Sequence, residues 1–119
     1  MYQFYNPNPK GKAVGDCTIR ALTKALAMSW DDVYTLTSMQ GFYECDMPSS
    51  NAVWGACLRK YGYKKQLANG ETFAEFCAKN PKGKYLLCTG SHVAYVEDGT
   101  LFDSWDSRNE IVEFFYSGV

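Results

Sequence analysis

Cys17, His92 and Asp103 are the residue types that nucleophilic acyl chemistry requires: a thiol, an imidazole and a carboxylate. The chain of 119 residues has a single histidine, so any Cys–His chemistry has only His92 as its base. Gly15-Asp16-Cys17-Thr18-Ile19-Arg20-Ala21-Leu22 reads as the start of a helix, with Asp16 as N-cap accepting from a backbone N–H one turn in. A thiol at a helix N-terminus feels the positive end of the macrodipole, which favours the thiolate. Alone, Cys17 fits a small buried hydrophobe better than a nucleophile. His92 alone fits a half-buried histidine bonded to whatever is near. Their combination with Asp103 favours chemistry.

That combination depends on a hairpin. Asp98-Gly99 is a two-residue turn signal between the runs 91–96 and 101–105. With Glu97 paired to Thr100, His92 faces Trp105, Ala94 faces Asp103, and all four side chains share one face. His92 and Asp103 are then diagonal neighbours, and the carboxylate can accept from one ring N–H, fix the tautomer and stabilise the imidazolium. A three-residue loop would put them on opposite faces. Asp106 would substitute as the acid only if the strand broke at Trp105.

The elements that must position these groups follow from periodicity. Residues 2–5 form a short strand. Asn6-Pro7-Asn8-Pro9-Lys10-Gly11-Lys12 is a turn-rich loop, whose Asn6 and Asn8 either start turns or sit beside the thiol. Helices are expected over 17–28, over about 30–39 behind the Ser29 cap, and over 51–61 with Gly62 after it. Residues 41–48 read as a loop displaying aromatics. A strand over 63–67 and a short helix capped by Thr72 come next, then strands at 85–88, 91–96, 101–105 and 111–116. Helices first and antiparallel strands second is the α+β pattern, with the N-terminal helices packed on one side of a C-terminal antiparallel sheet, in one domain spanning 1–119.

Composition narrows the function classes. Aromatic residues make up 16% of the chain and the formal net charge is -1. No cationic cluster suggests nucleic acid, and Lys60, Lys64 and Lys65 read as a solvated face. The five cysteines are odd in number and contain no Cys-x-x-Cys. Neither a disulfide framework nor a structural zinc site is expected, and no metal or cofactor. Reduced thiols in a cytoplasmic setting, with no signal peptide and no membrane span, are the expectation.

The Cys-then-His-then-Asp order, with the cysteine opening a helix and the others on paired strands, resembles the papain-like cysteine peptidase superfamily in its small microbial forms, such as bacteriocin-leader peptidases and cell-wall amidases. More narrowly, Asn6-Pro7-Asn8-Pro9, Gly15-Asp16-Cys17, Arg20-Ala21, Met47-Pro48-Ser49-Ser50-Asn51-Ala52-Val53-Trp54 and the His92–Trp105 hairpin look like a family of uncharacterised proteins in phages and in Firmicutes genomes carrying prophages. The resemblance implies a papain-like core, Cys17 as nucleophile, His92 as general base and acid, and Asp103 as orienter. Many superfamily members carry a Gln six residues before the cysteine as oxyanion donor. Gly11 stands there in this chain, so Asn8 or Asn6 would have to replace it, with the Cys17 N–H as second donor. Asp16, Trp105, Phe42 and Tyr43 are candidates for the substrate cleft. The expected activity is thiol-dependent hydrolysis of a peptide, isopeptide or small amide through a thioester. The alternatives are a non-catalytic phage-type inhibitor or adaptor that binds a host protein in the host cytoplasm, and acyl transfer to an amine.

Overall fold

The computed structural model describes residues 1–118. The elements run β1 (Tyr2–Phe4), α1 (Cys17–Leu26), α2 (Trp30–Glu44), α3 (Asn51–Lys60), β2 (Lys64–Leu67), α4 (Phe73–Lys79), β3 (Lys84–Cys88), β4 (Val93–Glu97), β5 (Thr100–Asp103) and β6 (Phe114–Ser117). The fold is α+β: four helices and one six-stranded sheet of order β1-β5-β4-β3-β6-β2. The sheet is mixed rather than wholly antiparallel, because β1 lies parallel to β5 at one edge, with Tyr2 beside Leu101 and Phe4 beside Asp103. A strand that starts the chain and pairs with a late strand has a long connection, so parallel pairing is open to it where a hairpin is not.

The central strands β3 and β4 read as apolar runs because both their faces are covered. Leu86, Cys88, Val93, Tyr95 and Tyr116 point to the side occupied by α1, α2 and α3, where Leu22, Val33, Trp54 and Leu58 are fully buried. Leu87, Ala94, Val96 and Leu101 point to the other side, against Phe73, Phe76 and Cys77 of α4. The expected packing of helices on one side therefore holds for α1–α3 only. The short amphipathic α4 covers the opposite face, which would otherwise expose those side chains at about 1.5–3 kcal/mol each.

The Asp98-Gly99 turn has the register read from sequence. Tyr95 pairs with Phe102, Val96 with Leu101 and Glu97 with Thr100, and both turn residues have positive φ, 49° and 78°. This is the backbone that a two-residue hairpin loop demands and that Asp-Gly supplies. β5 ends at Asp103, so Ser104 and Trp105 lie in a bend rather than in the ladder.

The second helix is longer than its periodicity suggested. It continues through Phe42 and Tyr43 to Glu44, so both aromatics belong to its last turn and not to a loop. Gly41 is the reason the stop comes late: a Cβ there would lie 2.7 Å from the Asp46 carbonyl oxygen and 3.3 Å from the Pro48 nitrogen. The returning chain packs directly on the Gly41 backbone, and Cys45 in the left-handed conformation ends the helix, with the Asp46 N–H donating to the Gly41 carbonyl at 2.9 Å. Among the described residues no helix is long and apolar enough to cross a membrane.

Candidate functional site

α1 presents Cys17 as its first residue, with Asp16 at the N-cap position. The Asp16 side chain does not cap the helix as expected. Its Oδ1 accepts from Arg20 Nη1 at 2.7 Å, and its Oδ2 accepts from the Trp30 indole N–H at 2.8 Å. A buried guanidinium and an indole are stronger claims on a carboxylate than a backbone N–H that water or substrate can reach. The first-turn N–H groups around Cys17 therefore have no side-chain cap.

His92 immediately precedes β4 and is 9% exposed. Its Nε2 lies 2.6 Å from Asp103 Oδ2. Asp103, at the end of β5, is fully buried and surrounded by donors. Its Oδ1 accepts from Arg20 Nη2 at 3.0 Å and from the Ser104 N–H at 2.8 Å, and its Oδ2 also accepts from the Ser107 hydroxyl at 2.6 Å. Arg20 thus ties the helix that carries the thiol to the strand that carries the orienting carboxylate. The Trp105 ring packs at a tilt against the imidazole, with centroids 4.8 Å apart.

With Nε2 committed to Asp103, the other ring nitrogen is left for the thiol. His92 and the Val93 backbone both lie close enough to the sulfur to favour its thiolate form. Burial pushes the Cys17 thiol up, but those two neighbours and the positive charges of His92 and Arg20 outweigh it and hold the thiol below its ordinary value. Burial pushes the His92 imidazole down, and the bond to Asp103, the nearby Cys17 and their negative charges raise it to about 9. Burial likewise opposes ionisation of Asp103, and His92, Ser107 and Arg20 overcome it, so its carboxyl lies below the ordinary carboxylate range. Free in water the thiol is the weaker acid, 9.0 against 6.5 for the imidazolium. Here the two shifts run in opposite directions, and each favours the charged form, thiolate on Cys17 and imidazolium on His92. The other shifted thiols behave oppositely: burial raises Cys57, Cys77 and Cys88. Cys57 lies in the core, as its place on the α3 stripe suggested.

A cleft of about 220 Å³ opens on this pair, lined by Cys17 and Thr18 of α1, by Ser49 and Asn51 at the start of α3, and by the 89–93 segment that carries His92. It joins, through Gly15, Thr18 and Ser49, a hollow of about 270 Å³ that includes Asp16, Ile19, Trp30 and Tyr34. Asn6 and Asn8 are not brought to the cleft. Asn6 Nδ2 donates to the Lys12 carbonyl at 3.2 Å, and Asn8 Oδ1 accepts from the Lys10 and Lys12 N–H groups at 2.9 and 3.3 Å. They start turns, as the Asn-Pro pairs allow, and Asn8 lines a separate hollow with Trp30 and Asp31. Of the four cleft candidates, Asp16 lines the adjoining hollow with its carboxylate spoken for, and Trp105 packs against His92. Phe42 and Tyr43 border a further apolar hollow on α2, with Tyr34 and Met39. Asp106 is paired with Arg108 at the surface and takes no part.

Arg20 and Ser107 were not picked out as site residues by their sequence positions. Arg20 carried one readable signal: it stands four residues after Asp16 on the same helix, the spacing of an ion pair. Ser107 carried none, because its contact depends on how the chain bends after β5. No protein-family model, no curated protein and no solved structure matches this chain.

Proposed function

We propose that this chain is a thiol-dependent acyl hydrolase, a cysteine peptidase, isopeptidase or amidase of papain-like type. The observation that carries the reading is His92, bonded to Asp103 at 2.6 Å, sharing one cleft with a thiol at the first position of a helix. The sulfur is half-buried beside an open cleft, and its neighbours hold the thiol below its ordinary value. In this reading the Cys17 thiolate attacks the carbonyl carbon and a C–S bond forms. His92 gives its proton to the amine nitrogen as the C–N bond breaks, leaving a thioester and a neutral imidazole. Water then attacks the thioester, His92 takes its proton, the C–S bond breaks, and the acid and the thiolate–imidazolium pair are released. Asp103 holds the ring orientation and stabilises the imidazolium. An amine in place of water gives transfer instead of hydrolysis, and mass analysis of products separates the two. The free cysteines suit a reducing, cytoplasmic setting.

The test is turnover of a mixed peptide, isopeptide and small-amide library by the intact protein, by Cys17→Ala and by His92→Ala. Cleavage lost in both variants supports the reading, and cleavage retained in either overturns it.

A second reading has its own observation. Phe42 and Tyr43 are 82% and 75% exposed on one turn of α2, next to exposed Met39 and Tyr34, a surface suited to a protein partner. For a phage-type inhibitor or adaptor acting on a host protein, Cys17→Ala retains activity in an infection assay, while Phe42→Ser with Tyr43→Ser abolishes it.

A further inference from the structure

The tetrahedral intermediate of the proposed reaction needs hydrogen-bond donors for its oxyanion, and the two loop asparagines are engaged elsewhere. We infer that Asn51, the first residue of α3, supplies the side-chain donor of the oxyanion hole, opposite the backbone N–H of Cys17. This rests on the acyl-hydrolase reading and names a group that the reading lacks.

Three observations support it. Asn51 lines the same cleft as Cys17 and His92. Its Oδ1 accepts from the Trp54 Nε1–H at 3.2 Å. An indole nitrogen only donates, so the amide orientation is decided by chemistry: the oxygen turns to Trp54 and the Nδ2 hydrogens turn away from it. Nδ2 has no hydrogen-bond partner among the described residues. Trp54 itself is fully buried and packs edge-on against Tyr116, with centroids 5.6 Å apart, so the anchor that holds the amide is rigid. A donor held in place before the reaction needs no reorganisation when charge appears, which is what makes such a donor effective.

The electron bookkeeping is simple. As sulfur bonds to the carbonyl carbon, the C=O π pair moves to oxygen. The N–H of Cys17, one of the first-turn groups without an intrahelical partner, and one Nδ2–H of Asn51 then receive that oxygen. Collapse of the intermediate returns the pair to carbon. Thr18 and Ser49 also border the cleft, but a hydroxyl rotates and accepts as readily as it donates.

Two reagents separate this role from a structural one, because only one of them passes through an oxyanion. p-Nitrophenyl acetate acylates a thiolate through a tetrahedral intermediate, whereas iodoacetamide alkylates it by direct displacement. The rates of both at Cys17 are read by peptide mass for the intact protein, Asn51→Asp, Asn51→Ala, Ser49→Ala and Thr18→Ala. Aspartate keeps the acceptor for Trp54 and removes the donor. Its charge lowers the thiolate fraction for both reagents alike, so the acylation-to-alkylation ratio cancels that effect. The expected result is a ratio lower by about 10²-fold in Asn51→Asp and in Asn51→Ala, and unchanged in Ser49→Ala and Thr18→Ala. A ratio in Asn51→Asp within about twofold of the unsubstituted protein, far short of the loss expected for a missing oxyanion donor, overturns the role of Asn51 alone. So does a fall confined to Ser49→Ala or Thr18→Ala. Alkylation without any acylation of Cys17 in the unsubstituted protein overturns the acyl-hydrolase reading itself.

Discussion

Replacing Arg20 by methionine should both destabilise the fold and weaken the acidity of Cys17. Arg20 is 5% exposed, and its guanidinium makes two charge-assisted bonds, to Asp16 at 2.7 Å and to Asp103 at 3.0 Å. Methionine keeps much of the length and none of the charge. Asp103 retains three donors, from His92, Ser107 and the Ser104 N–H, whereas Asp16 retains only the Trp30 indole. Removing one partner of a buried ion pair leaves an uncompensated charge and costs about 3–5 kcal/mol. That is a large share of the ~5–15 kcal/mol by which a typical domain is stable. Replacing Asp16 by asparagine in the same chain removes that orphaned charge, so Asp16→Asn with Arg20→Met should recover much of the loss. Urea unfolding of the parent, the single variant and the double variant measures this. A single variant within about 1 kcal/mol of the parent, below the cost of an orphaned buried charge, would refute the reasoning. So would a double variant no more stable than the single one. The same proteins answer the second half. The Arg20 charge helps to lower the Cys17 thiol, so the pH midpoint of iodoacetamide labelling at Cys17 should rise in Arg20→Met. Arg20→Lys, which keeps a charge without the two-pronged geometry, should hold the midpoint closer to the parent's. An unmoved midpoint in Arg20→Met would show that the residue has no electrostatic part in the site.

Other outcomes follow from the same geometry. His92 is raised from 6.5 to about 9, so its contribution to stability is complete below pH 6.5 and is lost as pH rises through about 9. Cys17 is lowered from 9.0, so its contribution is present above pH 9.0 and is lost as pH falls through the folded-state value. Between these limits the two oppose each other, and Cys17→Ser should uncover a decline in stability above pH 6.5 that denaturant midpoints show weakly or not at all in the parent. Asp103→Asn should move the labelling midpoint of Cys17 upward, because an imidazole without its carboxylate holds its proton less firmly; an unchanged midpoint would remove Asp103 from the charge network. Gly41→Ala should cost about 1–3 kcal/mol in urea unfolding despite alanine's better helix propensity, because the new methyl meets the Asp46 carbonyl; a stabilised variant would contradict the close approach.

Much of the framework was legible because it rests on local rules. Asp98-Gly99 demands positive φ at both residues, which alone sets the hairpin register and brings His92 and Asp103 to one end of the sheet. The capping box at Thr72 and Glu75, the Ser29 cap and the helical stripe of Val53, Trp54, Cys57 and Leu58 are likewise written within a few residues of themselves. The single histidine limits any Cys–His chemistry to His92 whatever the fold.

Where the remaining groups went was settled by partners distant in sequence. Asp16 is well suited to cap α1, yet Trp30 and Arg20 claim its carboxylate, because a buried charge takes its strongest donors first. α2 runs past Gly41 because a returning chain packs on that glycine, a contact that helix propensity does not contain. Asn6 and Asn8 spend their side chains within their own loop, while Asn51, from a helix that begins 34 positions after Cys17, lines the cleft. The sequence by itself determined the residue types, the capped helices and the hairpin, since each is specified by neighbours along the chain. Only the tertiary structure decided which donor answers which acceptor, because that competition is between groups the chain brings together only when it folds.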